Sequence, residues 1–170
     1  MDFNLTEQQK MMKKLFSEFA EKEVKPLAGE IDEEERFPRE TVDKMVACKM
    51  FGIPFSREYG GAGADYLSYI LAVEELSKVC ATTGVILSAH TSLGTFPIDA
   101  FGTPEQKAKY LPDLCSGKKL GAFGLTEPNA GTDAAGQQTT AVKDGDDYII
   151  NGSRSLLRMP EKQIFMLSSL

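Results

Sequence analysis

The sequence predicts an α+β chain in which an all-α helical domain, residues 1–117, leads into the first strands of a β-domain, residues 118–153. Three observations carry that prediction. Through the first two-thirds of the chain, apolar residues recur at helical spacing behind good N-caps. The stretch from Leu120 to Thr126 is free of charge, as a buried strand is. Beyond it, the segments Thr139 to Val142 and Tyr148 to Ile150 flank Lys143-Asp144-Gly145-Asp146, and Asp-Gly is a strong hairpin turn.

The first helix is expected from Thr6 to about Lys25, with Thr6 and Gln9 in capping-box relation. Leu15, Phe16, Phe19 and Ala20 repeat at helical spacing, and Pro26, which lacks an N–H, is expected to end the helix. Asp32-Glu33-Glu34-Glu35 reads as a solvated acidic face or turn. A second helix follows from Arg39 to Cys48, opened by Pro38, with Val42, Met45 and Val46 inward. Tyr59-Gly60-Gly61-Ala62-Gly63 is a loop, because so many glycines penalise any regular element. It lacks the Lys-Ser/Thr ending of a P-loop and follows no clear strand, so a phosphate cradle is set aside.

Asp65 can cap a third helix, with Tyr66, Tyr69, Ile70, Val73 and Cys80 along one face. Leu67, Leu71 and Leu76 add apolar surface elsewhere, so burial on several sides is expected. The run from Thr83 to Leu93 is almost uncharged and belongs in the middle of a bundle or against a ligand. Thr103, Pro104 and Glu105 open another helix, with Tyr110, Leu111 and Leu114 inward and Pro112 expected to kink or shorten its last turn.

Composition narrows the function classes. Hydrophobic residues at 42% and charged residues at 26% are an ordinary globular balance, which argues against disorder. A net charge of -6 without a basic patch argues against nucleic acid or an anionic membrane as partner. Cys48, Cys80 and Cys115 form no Cys-x-x-Cys pair, so neither a metal site nor a disulfide framework is expected. There is no run of about 18 apolar residues, and the N-terminus has neither an h-region nor a transit-peptide character. A cytoplasmic location is the expectation.

The stretch most suggestive of chemistry is FGLTEPNAGTDA, Phe123 to Ala134. An apolar strand runs into Thr126, and Pro128, Asn129 and Gly131 force a turn. Such a turn offers backbone N–H groups with the Thr126 and Thr132 hydroxyls, suited to a neutral polar ring edge or a phosphate oxygen. A plain strand-turn accounts for the same residues.

FGLTEPNAGTD resembles the flavin-binding signature of the acyl-CoA dehydrogenase family. DFNLTEQQ, the EYGGAG loop, YILAVEELS, ILSAHTSLG and FGTPEQKAKYLPDLCSGKKLGAFGLTEPNAGTDA extend the resemblance over residues 1 to about 153. Its detail is closest to bacterial short-chain, butyryl-CoA-type members. The resemblance implies a helical N-terminal domain, a β-barrel-like middle domain of which only the start is present, and a C-terminal helical bundle that is absent. It implies FAD as cofactor, with the backbone of Phe123, Gly124 and Leu125 and the Thr126 hydroxyl at the pyrimidine edge of the flavin. Gly131 and Thr132 then lie near the pyrophosphate, Thr132 also near the substrate's pantetheine arm. Ser88, Thr91 and Leu93 wall the acyl pocket in that reading, although an apolar helix needs no ligand to justify it. His90, the only histidine, reads as a hydrogen-bonded helix residue, since a catalytic base needs an orienting partner that the sequence does not name.

The implied reaction, in fatty-acid metabolism, is oxidation of a short-chain acyl-CoA to the trans-2-enoyl-CoA, with electrons passed to electron-transfer flavoprotein. The family's glutamate base belongs to the C-terminal domain, and no glutamate here sits in its motif, so no catalytic residue is assigned. Family members commonly assemble through their C-terminal helices. An acyl-CoA oxidase fragment and a non-catalytic helical interaction module are the alternatives.

Residues 154–170, RSLLRMPEKQIFMLSSL after Ser153, depart from the family pattern and lack the alternation of a strand. With suitable synonymous codons, the frame starting at the third nucleotide of this tail reads Lys-Ser-Phe-Thr-Asn-Ala and then Ala-Asp-Ile-Tyr-Val-Val-Phe-Ala, as the family continues. A frameshift near the codon for Ser153 is therefore expected. The consequence would be an incomplete β-domain, weak or absent FAD binding and no dehydrogenase activity in this chain.

Overall fold

The computed structural model describes residues 4–155 and, for the backbone alone, 164–168. Seven α-helices occur among the described residues: α1 (Glu7–Phe19), α2 (Lys25–Glu33), α3 (Arg39–Ala47), α4 (Tyr66–Val79), α5 (Ala81–Ser88), α6 (Phe96–Phe101) and α7 (Pro104–Cys115). Four strands follow: β1 (Leu120–Gly124), β2 (Thr140–Asp144), β3 (Asp147–Asn151) and β4 (Ile164–Ser168).

Helix starts obey their local chemistry. The Thr6 hydroxyl accepts from Gln9 N–H at 3.2 Å while Gln9 Oε1 accepts from Thr6 N–H at 2.9 Å, completing the capping box. Gln9 also donates its Nε2–H to Asp65 Oδ2 at 2.7 Å, and Asp65 Oδ1 caps α4 by accepting from Ser68 N–H at 2.7 Å. One buried carboxamide thus fastens together the starts of α1 and α4, which pack on each other. Thr103 and Gln106 form the same box at α7.

Pro26 does not end the first helix. α1 passes through a π-helical turn, Ala20–Val24, directly into α2. In that wider turn Lys25 N–H bonds to Ala20 O, five residues back, and Pro26 falls in the first turn of α2, where a missing N–H matters little. The device recurs at Pro97: α5 passes through a second π-helical turn, Ala89–Thr95, into α6, and Phe96 N–H bonds to Thr91 O. Pro112 neither ends nor shortens α7, because the last turn still closes through Ser116 N–H to Pro112 O at 3.1 Å.

The main core gathers Phe16, Val24, Val42, Met45, Phe51, Tyr69, Leu76 and Leu87 and reaches Leu120 of β1. A second cluster, Phe55, Ile98, Leu111, Leu114 and Cys115, packs under α7. The expected face of α4 needs correction. Tyr69, Ala72 and Leu76 are buried, but Tyr66, Leu67 and Ile70 are exposed, since α1 and α5 cover only one side of this helix. Gly60 and Gly63 adopt positive φ (84° and 65°), and a Cβ on Gly61 would collide with the Phe55 carbonyl, so the glycine loop is set by backbone demands rather than by a ligand.

Two small sheets complete the chain. β2 and β3 form the expected antiparallel hairpin, with Gly145 at φ 61°, and every residue of both strands is exposed. β1 is buried, and β4 pairs with it in parallel, Leu120 opposite Ile164. The tail expected to lack a strand therefore supplies one: backbone pairing to β1 needs no apolar-polar alternation, which is the signal its sequence lacks. Residues 156–163 and 169–170 of that tail lie outside the described residues.

Candidate functional site

The site is built on β1, and β1 is seated by the second π-helical turn. His90, fully buried on that turn, accepts Gly121 N–H at Nδ1 (2.9 Å). Its Nε2 lies 3.2 Å from Thr95 Oγ1, and the Thr95 hydroxyl donates to the His90 carbonyl at 2.9 Å. The Phe51 ring meets the imidazole edge-on, centroids 4.7 Å apart. Burial pushes the His90 pKa down to about 4, so the ring is neutral at physiological pH. The backbones beneath are in close contact: a Cβ on Gly94 would stand 2.6 Å from Gly121 Cα.

From β1 the chain enters the turn. Glu127 pairs with Ala130 in a single antiparallel bridge, which folds Pro128 and Asn129 outward. The Glu127 carboxylate is buried and accepts from Thr139 Oγ1–H at 2.6 Å, Gln138 N–H at 2.6 Å and Thr139 N–H at 3.0 Å. Arg154 completes the set at 2.9 Å. These bonds, the Thr139 hydroxyl foremost and Arg154 last, hold the Glu127 pKa below the usual carboxylate range. Glu127 is therefore a strut and a poor general base. Leu125 O accepts from Gln137 Nε2–H at 2.5 Å and Arg154 at 2.7 Å, and Thr126 O accepts from Ser155 N–H at 2.8 Å.

Of the residues singled out from sequence, Gly124 is buried, and Phe123, Leu125 and Thr126 are half-buried at the end of β1. Gly131 and Thr132 are exposed on the turn. Thr91 and Leu93 lie on the π-helical turn that packs against β1, so the two candidate groups come to one region of the fold. Thr91 Oγ1 is buried with no hydrogen-bond partner among the described residues. Ser88 closes α5, and its carbonyl accepts from Tyr69 and Ser92 hydroxyls. Sequence reasoning missed Glu127, Gln137 and Arg154 as the struts of the turn. The one available signal was a Glu inside an otherwise uncharged strand-turn, which calls for a buried cationic partner.

Two observations bear on whether a flavin fits. The half-buried Thr126 hydroxyl has no partner among the described residues, which leaves it available to a polar ring edge. Gly131 has neither a positive φ nor any atom within 4 Å of an added Cβ, so nothing in the chain's own packing requires glycine there; close approach by an outside group would. The cleft beside the turn, walled by Pro128, Asn129, Gln138 and Ser153, measures about 280 Å³. That is below the usual range for enclosing a ligand, roughly 300–1,000 Å³, so this cleft alone does not enclose one.

Fold and site together define a helical domain that delivers a buried strand and an open polar turn into the beginning of a β-domain. Residues 6–118 match the family described as "Acyl-CoA dehydrogenase, N-terminal domain". The chain belongs to the acyl-CoA dehydrogenase family. It is 66% identical over 154 residues to "Acyl-CoA dehydrogenase, short-chain specific" of Clostridium acetobutylicum, an alignment covering 91% of this chain and 41% of that protein. A chain in the solved structure "Electron transferring flavoprotein of Acidaminococcus fermentans: Towards a mechanism of flavin-based electron bifurcation" superposes with a TM-score of 0.91 at 55% identity, covering 96% of this chain and 43% of that one. Butyryl-CoA dehydrogenase of Megasphaera elsdenii gives 0.87 at 49% identity, with 92% and 42% covered. An acyl-CoA dehydrogenase of Bacillus anthracis complexed with FAD gives 0.84 at 34% identity, with 91% and 27% covered. The chain spans about 41% of the length of the curated relative it matches at 66% identity.

Proposed function

We propose that this chain supplies the helical domain and the flavin-facing strand of a short-chain acyl-CoA dehydrogenase. The observation that carries the reading is the end of β1, where a buried strand held by His90 presents a Thr126 hydroxyl that has no partner among the described residues, beside the exposed Gly131–Thr132 turn. In this reading Phe123, Gly124, Leu125 and Thr126 hold the pyrimidine edge of FAD, and Gly131 and Thr132 face its pyrophosphate. Thr91 and Leu93, with Ser88 one turn earlier, wall the acyl chain of the substrate. FAD supplies the hydride acceptor when bound. The chain's own residues orient it and exclude water, and electron-transfer flavoprotein is the expected electron partner. The similarity to butyryl-CoA dehydrogenase supports a short acyl substrate, and the FAD complexed with the Bacillus anthracis relative supports the cofactor.

The proposal extends to what these residues lack. No glutamate sits in the motif of the family's base, and Glu127, the carboxylate nearest the turn, is fully engaged by four hydrogen-bonding groups. Acting alone, the 170-residue chain should therefore not turn over acyl-CoA. We attribute residues 154–170 to a changed reading frame, and place the protein in the cytoplasm.

Joining residues 1–153 of this chain to the remainder of the Clostridium acetobutylicum relative tests the function directly. The chimera should bind one FAD per chain and oxidise butyryl-CoA. A folded chimera without flavin would overturn the reading.

A further inference from the structure

We propose that His90 is a positioning residue: it fixes the spacing between the π-helical turn that carries Thr91 and Leu93 and the strand that carries Phe123–Thr126. The inference rests on the flavin and acyl reading above, and it adds a residue whose side chain belongs to neither surface.

The geometry leaves His90 one state. The Thr95 hydroxyl gives its single hydrogen to the His90 carbonyl at 2.9 Å, so only its lone pairs face Nε2 at 3.2 Å. Nε2 must therefore carry the ring hydrogen, which leaves Nδ1 as the acceptor for Gly121 N–H at 2.9 Å. One end of the ring is anchored beside Thr95 in its own helical turn, the other reaches the strand, and the ring also bonds to the Leu114 backbone of α7. Phe51 blocks rotation from the side, and burial keeps the ring uncharged.

Slack is missing from this contact. A Cβ on Gly121 would lie 2.8 Å from Gly94 Cα, so the two backbones already touch. A contact between two glycines carries no side-chain relief that could resist sliding along the strand. The imidazole bond across it supplies that resistance, and a one-residue slip of a strand reverses which side chains face inward. Gly121 stands two residues before Phe123, so an error at Gly121 passes straight to the candidate flavin edge.

A merely structural histidine predicts something different. Replacing a buried polar pair by an apolar group of similar shape can be close to neutral for stability. It cannot restore a directional bond that sets position. Stability and placement therefore separate in experiment.

The test is amide hydrogen exchange by NMR on the full chain at neutral pH, comparing wild type with His90→Leu and His90→Asn. His90→Leu keeps bulk and removes the ring's hydrogen bonds, whereas His90→Asn keeps an acceptor for Gly121 N–H. In His90→Leu, amides from Leu120 to Thr126 and from Ala89 to Thr95 should exchange about tenfold faster, the scale of one net hydrogen bond, while α1 and α4 keep wild-type rates. His90→Asn should recover most of the protection in β1. A uniform loss across α1, α4 and β1, or no change anywhere, overturns the proposal. Should His90→Leu fail to fold, the ring nitrogen signals of the unsubstituted chain decide: an Nε2–H tautomer is expected, and an Nδ1–H or charged ring overturns it. Titrating the unsubstituted chain and the chimera with FAD reports on the flavin reading separately, and its failure would leave the exchange pattern unmoved.

Discussion

Lowering the pH from 7 to 5 should destabilise this protein through the buried His90. The ring is fully buried and its pKa falls from 6.5 to about 4 in the folded chain. A folded pKa below the unfolded one means that unfolding takes up a proton. The stability that the neutral ring contributes is complete above pH 6.5 and drains away as the pH falls toward 4. The full swing amounts to about 3 kcal/mol, at about 1.4 kcal/mol per pH unit, and about 2 kcal/mol of it falls between pH 7 and 5. Glu127 and Asp65, whose pKa values are held low by hydrogen bonds, contribute their losses only at more acid pH. His90 is the only histidine, so no second imidazole adds to this slope. Urea unfolding followed by far-UV circular dichroism at pH 7, 6 and 5 measures it, with His90→Asn as the non-titrating control. A wild-type stability that is flat across this window, or a slope that persists in His90→Asn, would refute the assignment of a buried neutral ring.

Further outcomes follow from the packing. Gly121→Ala would place a methyl 2.8 Å from Gly94 Cα and 3.4 Å from the His90 carbonyl. It should cost about 1–3 kcal/mol as an overpacked contact, and urea titration reads the loss. Phe51→Ala removes a fully buried ring that also flanks His90, and about 3–5 kcal/mol should go with it. Thr103→Ala deletes the α7 cap and should lower stability by about 1 kcal/mol without touching β1. For the tail, sequencing the coding DNA past Thr126 should reveal Thr-Asn-Ala and a later glutamate-bearing helical domain in another frame; unrelated DNA there would end the frameshift reading.

Much of the helical domain could be read from sequence because its signals are local. Thr6 with Gln9 is a capping box in the sequence and in the structure, and Thr103-Pro104-Glu105 opens α7 as expected. Pro26 misled because the relief it needs, a π-helical turn, is built by the residues before it and carries no sequence signature. The outer face of α4 misled for another reason: Tyr66 and Ile70 are apolar and periodic, yet both stay about half exposed, Tyr66 meeting only the edge of the Phe96 ring across from it. Around the site, FGLTEPNAGTD was legible as a strand and turn, whereas its supports were not. His90 reaches Gly121 across 31 positions, and Glu127 reaches Arg154 from the far side of the hairpin. Such pairings depend on how the chain returns to itself, which no short window of sequence encodes. The tail strand was missed for a different reason: β4 pairs in parallel with β1, and such a strand shows a continuous apolar run, as over residues 164–167, rather than alternation.

The central claim is that this chain carries an acyl-CoA dehydrogenase helical domain with one side of a flavin site. Flavin stoichiometry of the purified chain, refolded with excess FAD and checked for helix content by circular dichroism, tests it most directly. A helical chain that retains far less than one FAD and does not reduce a dye with butyryl-CoA is the predicted result. One tightly held FAD per chain, reduced by butyryl-CoA, would contradict it.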